Sequence, residues 1–292
     1  MKLSDLGEDR VIGQLTKNLP LSKDVRVGVG DDCAVIGSAK ESQWELLKTD
    51  SLVEGVHFTK EADPRKVGWK ALARTISDIA AMGGEPKHAL ITLAVSPEEE
   101  MARIKGIYAG IKRAAKRFKV SIVGGETSRS PQGLFLSIAL TGVVSKDQCV
   151  LRSGGRSGDL LFVTGSLGGS IRGKHLTFMP RVAEARWLVT HFRPNAMMDL
   201  SDGLGADLPR MARASGVGFE INALPLNPGC TAENALNDGE DFELLFAISP
   251  RKAAPLEAAW KKQFPKLALT QIGKLTPRMN SRQSHHGFDH FA

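Results

Sequence analysis

Long apolar runs are missing from this 292-residue sequence: none reaches the roughly 18 residues that a membrane-crossing helix needs. The opening Met-Lys-Leu-Ser-Asp-Leu-Gly-Glu-Asp lacks the apolar core of a signal peptide, so none is expected. Cysteine is scarce. Cys33, Cys149 and Cys230 lie far apart with no Cys-x-x-Cys pair, which argues against a structural zinc site and fits a reducing cytoplasm. No complete glycine signature for nucleotides is present. Gly168–Lys174 reads Gly-Gly-Ser-Ile-Arg-Gly-Lys, but His175 follows where a P-loop needs Ser or Thr. No Gly-x-Gly-x-x-Gly opens a helix with a suitably placed acid, so a dinucleotide fold is not expected. The net charge is +7, yet no basic stripe is interleaved with aromatics, and nucleic-acid binding is not expected either.

What the chain does carry is a series of short acidic motifs. They are Gly-Asp-Asp at 30–32, Thr-Asp-Ser at 49–51, Ser-Asp at 77–78, Gly-Gly-Glu-Thr at 124–127, Asp-Leu-Ser-Asp-Gly at 199–203 and Gly-Glu-Asp at 239–241. Most follow an apolar run and are flanked by Gly, Ser or Thr. That is the setting of a carboxylate in a loop just past a strand, where ligand groups concentrate. Carboxylates gathered from several loops repel one another unless cations lie between them. Hard oxygen ligands point to Mg²⁺, and Mg²⁺ to a phosphate-bearing substrate.

The rest of the sequence reads as alternating strands and helices. Residues 25–29, 44–49, 88–95 and 134–144 have strand composition. One helix is expected from N-cap Asp63 and Pro64 to Gly83-Gly84, with Trp69, Leu72, Ile76 and Ile79 as its buried stripe. Another is expected to start at Ser96-Pro97 with Glu99 in a capping box, and to bury Met101, Ile104, Tyr108, Ile111, Ala115 and Phe118. A polar stretch around 145–159 divides the chain. The expectation is two α/β domains, 1–146 and 147–292, the second with strands at 160–164, 242–248 and 267–272.

Each motif keeps an ordinary alternative. Asp31 and Asp32 fit a β-turn, although two adjacent carboxylates after an apolar strand favour a metal. Asp50 fits a helix N-cap as well as a cation site, where Thr49 and Ser51 would add oxygens. Asp78 lies in the last turns of a helix, where a negative charge is disfavoured, so a cation beside it removes the difficulty. Glu126 follows two glycines that let a backbone approach a ligand. Ser201 or Asp202 is a candidate N-cap, and Asp199 and Asp202 are also a candidate acid pair. His57 follows Asp50 closely; it is a pocket residue or a satisfied structural histidine. The closely packed histidines of the tail Ser-His-His-Gly-Phe-Asp-His-Phe make only a weak zinc signature.

Taken together the motifs resemble the thiamine-monophosphate kinase family, within the ATP-binding superfamily that includes aminoimidazole ribonucleotide synthetase. The match runs through Gly-Val-Gly-Asp-Asp-Cys-Ala (28–34), Lys-Thr-Asp-Ser-Leu-Val-Glu-Gly-Val-His-Phe (48–58), Ser-Asp-Ile-Ala-Ala-Met-Gly-Gly (77–84) and Val-Gly-Gly-Glu-Thr (123–127). It continues in Leu-Arg-Ser-Gly (151–154), Asp-Leu-Ser-Asp-Gly (199–203), Gly-Glu-Asp-Phe-Glu-Leu (239–244) and the closing Gly-Phe-Asp-His-Phe. The resemblance implies an α+β, two-domain fold that dimerises through the N-terminal sheet. It also implies a cytoplasmic enzyme that transfers phosphate in line from ATP to thiamine monophosphate without a covalent nucleophile. Several Mg²⁺ ions are implied, with room for K⁺. By motif match Asp32, Thr49, Asp50, Asp78, Glu126, Asp199 and Asp202 are metal ligands. Tyr108, Gly125, Glu126, Arg152 and Ser201 contact ATP, and His57, Glu240 and Phe288 contact thiamine monophosphate. The chain departs from the family at Glu126, where Asp is usual, and in a shorter stretch at 166–196. Rivals are another superfamily member of the aminoimidazole ribonucleotide synthetase type and a nucleotide-binding scaffold without catalysis.

Overall fold

A computed structural model describes residues 2–277. The chain opens with helix α1 (Glu8–Leu15) and strand β1 (Val25–Val27). It then forms two compact units, neither of them a contiguous half. One is residues 35–150 with 172–193; the other gathers the stretch up to Ala34, residues 151–171 and the stretch from Pro194 onward.

The unit of 35–150 and 172–193 is a mixed sheet covered by helices. Its elements are β2 (Ala34–Ile36), β3 (Gln43–Val53), α2 (Pro64–Ala81), β4 (Glu85–Val95), α3 (Met101–Phe118), β5 (Ser121–Arg129), β6 (Phe135–Ser145) and α4 (Val182–His191). The strands lie in the order β2-β3-β6-β4-β5, with β3 and β4 antiparallel to β6 and β5 parallel to β4. Alternation puts Leu46, Leu52, Ala89, Ile91, Leu136, Ile138 and Leu140 on the buried face, with the buried Leu72, Ile76 and Ile79 of α2 on the same side. Asp63 caps α2 as expected: its Oδ1 accepts from Arg65 N at 2.9 Å. Helices α2 and α3 touch backbone to backbone, and only glycine permits it. A Cβ on Gly68 would stand 1.8 Å from Ile107 O, and one on Gly110 would stand 1.9 Å from Arg65 O.

Helix α3 starts later than the sequence suggested. Ser96 Oγ accepts from Glu98 N at 3.2 Å, which closes a turn in place of the capping box, and the helix begins at Met101 after Glu100. Met101 is exposed; the buried stripe is Ile107, Gly110, Ile111, Ala114 and Ala115.

The other unit holds an antiparallel sheet. Its further elements are β7 (Leu160–Thr164), β8 (Ala196–Asp199), α5 (Leu204–Ser215), β9 (Gly218–Ile221), α6 (Ala232–Asn237), β10 (Leu244–Ile248), α7 (Pro250–Gln263) and β11 (Leu269–Thr276). The strand order is β8-β10-β7-β11-β9. Leu161, Val163, Met198, Leu208, Met211, Leu245 and Ile272 belong to its core.

Candidate functional site

Within the mixed-sheet unit, β3 and α2 assemble the first acidic group. Strand alternation turns Asp50 towards α2 and Thr49 to the opposite face, where its Oγ1 lies 3.3 Å from Ser137 Oγ. Helix α2 presents Lys70, Arg74 and Asp78 four residues apart, on one face. Asp78 Oδ1 lies 2.7 Å from Lys48 Nζ. Lys48 Nζ and Arg74 Nη2 each stand 3.9 Å from Asp50 Oδ1. The cation that the end of α2 called for beside Asp78 is thus supplied within the protein by Lys48. Burial alone pushes the Asp50 carboxyl up, but the charges of Lys48 and Arg74 outweigh it and hold it below the usual carboxylate range. Asp50 Oδ2 is buried with no hydrogen-bond partner among the described residues.

The loop after β3 carries His57, which is nearly buried. Its Nδ1 accepts from Val53 N at 3.0 Å. Glu54, at the base of the loop, accepts from Leu134 N at 2.7 Å and pairs with Arg103 at 2.9 Å. Glu126 and Gly125 lie on β5, which is exposed along its whole length. No side-chain hydrogen bond or ion pair ties Glu126 to the Asp50–Asp78 group among the described residues. A Cβ on Gly125 would stand 1.8 Å from Ile91 O, so the pairing of β5 with β4 already demands glycine there. Tyr108 is half-buried on α3.

In the antiparallel-sheet unit the second acidic group forms around Arg152. Its Nη2 and Nε lie 2.6 and 3.1 Å from Asp32 Oδ1, and its backbone N donates to Asp31. Asp31 therefore braces the loop, while Asp32, 1% exposed, keeps an Oδ2 with no hydrogen-bond partner among the described residues. Burial, then the neighbouring Asp32, pushes the Asp31 carboxyl up to about 7. Burial alone would lower the Arg152 guanidinium, but the charge of Asp32 holds it above its ordinary range.

Asp199 closes β8 and is buried, and Ser201 and Asp202 follow in the loop before α5. Neither caps that helix; the N-cap is Gly203, with φ 96°. The loop is held from below by Asp207, whose Oδ2 accepts from Ser201 N and Asp202 N, both at 3.0 Å. Arg210 Nη1 bridges Asp202 and Asp207. Burial and the charge of Asp202 push the Asp207 carboxyl well up. Glu240 lies against the same loop: its N donates to Ser201 O at 2.6 Å. Glu240 and Phe242 have φ of 55° and 50°, left-handed values that cost non-glycine residues about 1–3 kcal/mol and gather at functional sites. The glycine turn of the incomplete P-loop is not an anion cradle. Gly168 N donates to Asp241 and Gly169 N to Asp238, which occupies those donors with carboxylates.

Sequence reasoning left Lys48, Lys70, Arg74, Asp207 and Arg210 unassigned. The four-residue spacing of Lys70, Arg74 and Asp78, and the three-residue spacing of Asp207 and Arg210, were the available signals. Phe288 and the tail histidines lie outside the described residues.

With this geometry in place, comparison with known proteins assigns the chain a class. Residues 30–144 match the family model described as AIR synthase related protein, N-terminal domain, and residues 156–282 match its C-terminal domain. A thiamine-monophosphate kinase of Rhodopirellula baltica is 40% identical, covering 90% of this chain and 86% of its own length. That of Aquifex aeolicus is 36% identical, covering 94% and 93%. A solved structure of AaThiL complexed with AMPPCP and TMP matches with a TM-score of 0.83 at 33% identity, covering 99% of each chain. The chain belongs to the thiamine-monophosphate kinase family.

Proposed function

We propose that this protein transfers the γ-phosphoryl group of ATP to thiamine monophosphate, forming ADP and thiamine diphosphate. The name and coverage of its relatives support the reading, as does the similar AaThiL complexed with AMPPCP and TMP. The observation that carries the chemistry is the pair of buried carboxylate oxygens, Asp32 Oδ2 and Asp50 Oδ2, that find no donor among the described residues. An acceptor-only group buried this way fits a hard cation.

Asp32, Asp199 and Asp202 would hold Mg²⁺ in the one unit, and Asp50 and Asp78 in the other; Glu126 and Thr49 are implied by motif alone, since the Thr49 side chain lies on the face of β3 opposite Asp50. Bound there, Mg²⁺ supplies neutralisation of charge on the transferring phosphate oxygens. Arg152, fixed by Asp32, would offer a rigid guanidinium to ATP, and Ser201, Gly125 and Tyr108 are the further ATP contacts that the motifs imply. The motifs imply His57 and Glu240 as thiamine monophosphate contacts, together with Phe288, which lies outside the described residues. A K⁺ requirement is tested by replacing K⁺ with Na⁺ in the assay.

We also infer a homodimer in the cytoplasm. The face of the mixed sheet turned away from α2 leaves Leu47, Val53 and Leu90 exposed beside β5, which is exposed along its length, a surface suited to a second copy. Cys33, Cys149 and Cys230 form no disulfide among the described residues, which suits a reducing compartment.

The direct test offers Mg²⁺–ATP with thiamine monophosphate, thiamine or formylglycinamidine ribonucleotide. Thiamine diphosphate is expected, and only from the first. A well-folded protein that leaves thiamine monophosphate untouched rules the proposal out, and turnover of the ribonucleotide favours the aminoimidazole ribonucleotide synthetase alternative.

A further inference from the structure

A buried basic group lies beside His57. Lys70, on α2, is 0% exposed. An ammonium taken out of water is tolerated only among strong acceptors. Its Nζ donates to His57 O at 2.6 Å and lies 2.8 Å from His175 Nδ1. With Lys70 as an ammonium, which has hydrogens to give and no lone pair, His175 Nδ1 is the acceptor. The same logic fixes His57. Its Nδ1 accepts from Val53 N–H, and its own N donates to Val53 O at 2.9 Å. The backbone N, the carbonyl and Nδ1 of His57 are therefore all held by the protein. The ring has one orientation and one tautomer, with Nε2 as a donor.

The helix that provides Lys70 also provides Arg74, which donates to Ser51 O at 3.2 Å, and Asp78, which pairs with Lys48. One face of α2 thus sets the His57 loop in register with Asp50. His175 comes from 172–193, a segment in which the sequence reading assigned no site residue, and that segment is tied to α2 a second time where Trp69 Nε1 donates to Phe178 O at 2.8 Å.

We propose that Lys70, backed by His175, is a positioning residue that presents the His57 Nε2–H to an acceptor atom of the phosphorylated substrate. The proposal rests on the reading of His57 as a thiamine monophosphate contact. Its test measures KM for thiamine monophosphate, KM for ATP and the melting temperature in His57→Ala, Lys70→Met, His175→Leu and His175→Asn. Asparagine places an amide oxygen where Nδ1 accepts, so it is the conservative replacement. Lys70→Met and His175→Leu are expected to raise KM for thiamine monophosphate by about tenfold, the effect of one lost orienting hydrogen bond, with KM for ATP unchanged. His175→Asn is expected to restore the wild-type value to within about threefold. If Lys70→Met does not fold, the two His175 variants decide the matter. A normal KM in His57→Ala overturns the reading of His57 and this proposal with it. A raised KM in His57→Ala beside a normal one in Lys70→Met and His175→Leu overturns the proposal alone. So does a parallel rise in both KM values with a lowered melting temperature.

Discussion

Asp207 and Glu126 illustrate two kinds of acidic residue. Asp207 is fully buried and spends both oxygens on the protein, holding Ser201 N, Asp202 N and Arg210. Asp207→Ala leaves two backbone donors without their acceptor and removes one of the carboxylates on Arg210, which keeps Asp202, and is expected to cost about 1–3 kcal/mol in urea unfolding. Glu126 is exposed and makes no such contacts among the described residues. Glu126→Ala should leave stability within about 0.5 kcal/mol of wild type while raising the Mg²⁺ concentration for half-maximal activity. An unchanged Mg²⁺ requirement would remove Glu126 from the metal set. The acids themselves were legible because carboxylates past apolar strands are a local pattern. Their pairing with cations was not, since the Lys48–Asp78 and Arg152–Asp32 pairs join residues distant in sequence, and Lys48 went unassigned.

At the scale of elements, two features carry most of the positioning. The close crossing of α2 and α3 depends on Gly68 and Gly110. Gly110→Val is expected to destabilise by about 1–3 kcal/mol or more, through forced separation of the helices, and calorimetry measures it. The loop from 53 to 58 is braced by Glu54. Burial raises its carboxyl, but Arg103 and Leu134 N outweigh that and hold it below the usual carboxylate range. A depressed folded value means the bond stabilises above the unfolded value, about pH 4.3, and loses its effect as pH falls through the folded one. The stability gap between wild type and Glu54→Gln should therefore be present at neutral pH and close in acid, as urea titrations at several pH values would report. Helix α2 was readable because Asp63, Pro64 and an apolar stripe agree. The start of α3 was misplaced because Ser96 closes a turn with the same side chain that would cap a helix. Strand β5 was missed because its paired glycines read as a loop, although contact with Ile91 requires Gly125.

For the whole molecule, the exposed sheet face predicts a dimer. Light scattering after gel filtration should return twice the 31.5 kDa chain mass, and Leu90→Arg, at a position exposed on β4, should shift it towards the monomer. The central claim is phosphate transfer that depends on Asp32 and Asp50, each of which keeps one buried oxygen with no hydrogen-bond partner among the described residues. Its most direct measurement follows ATP and thiamine monophosphate with Mg²⁺ by phosphorus NMR, in wild type and in Asp50→Asn of equal melting temperature. The account predicts ADP and thiamine diphosphate in equal amounts from wild type and no product from Asp50→Asn. Sustained turnover by Asp50→Asn, or none by folded wild type, contradicts it.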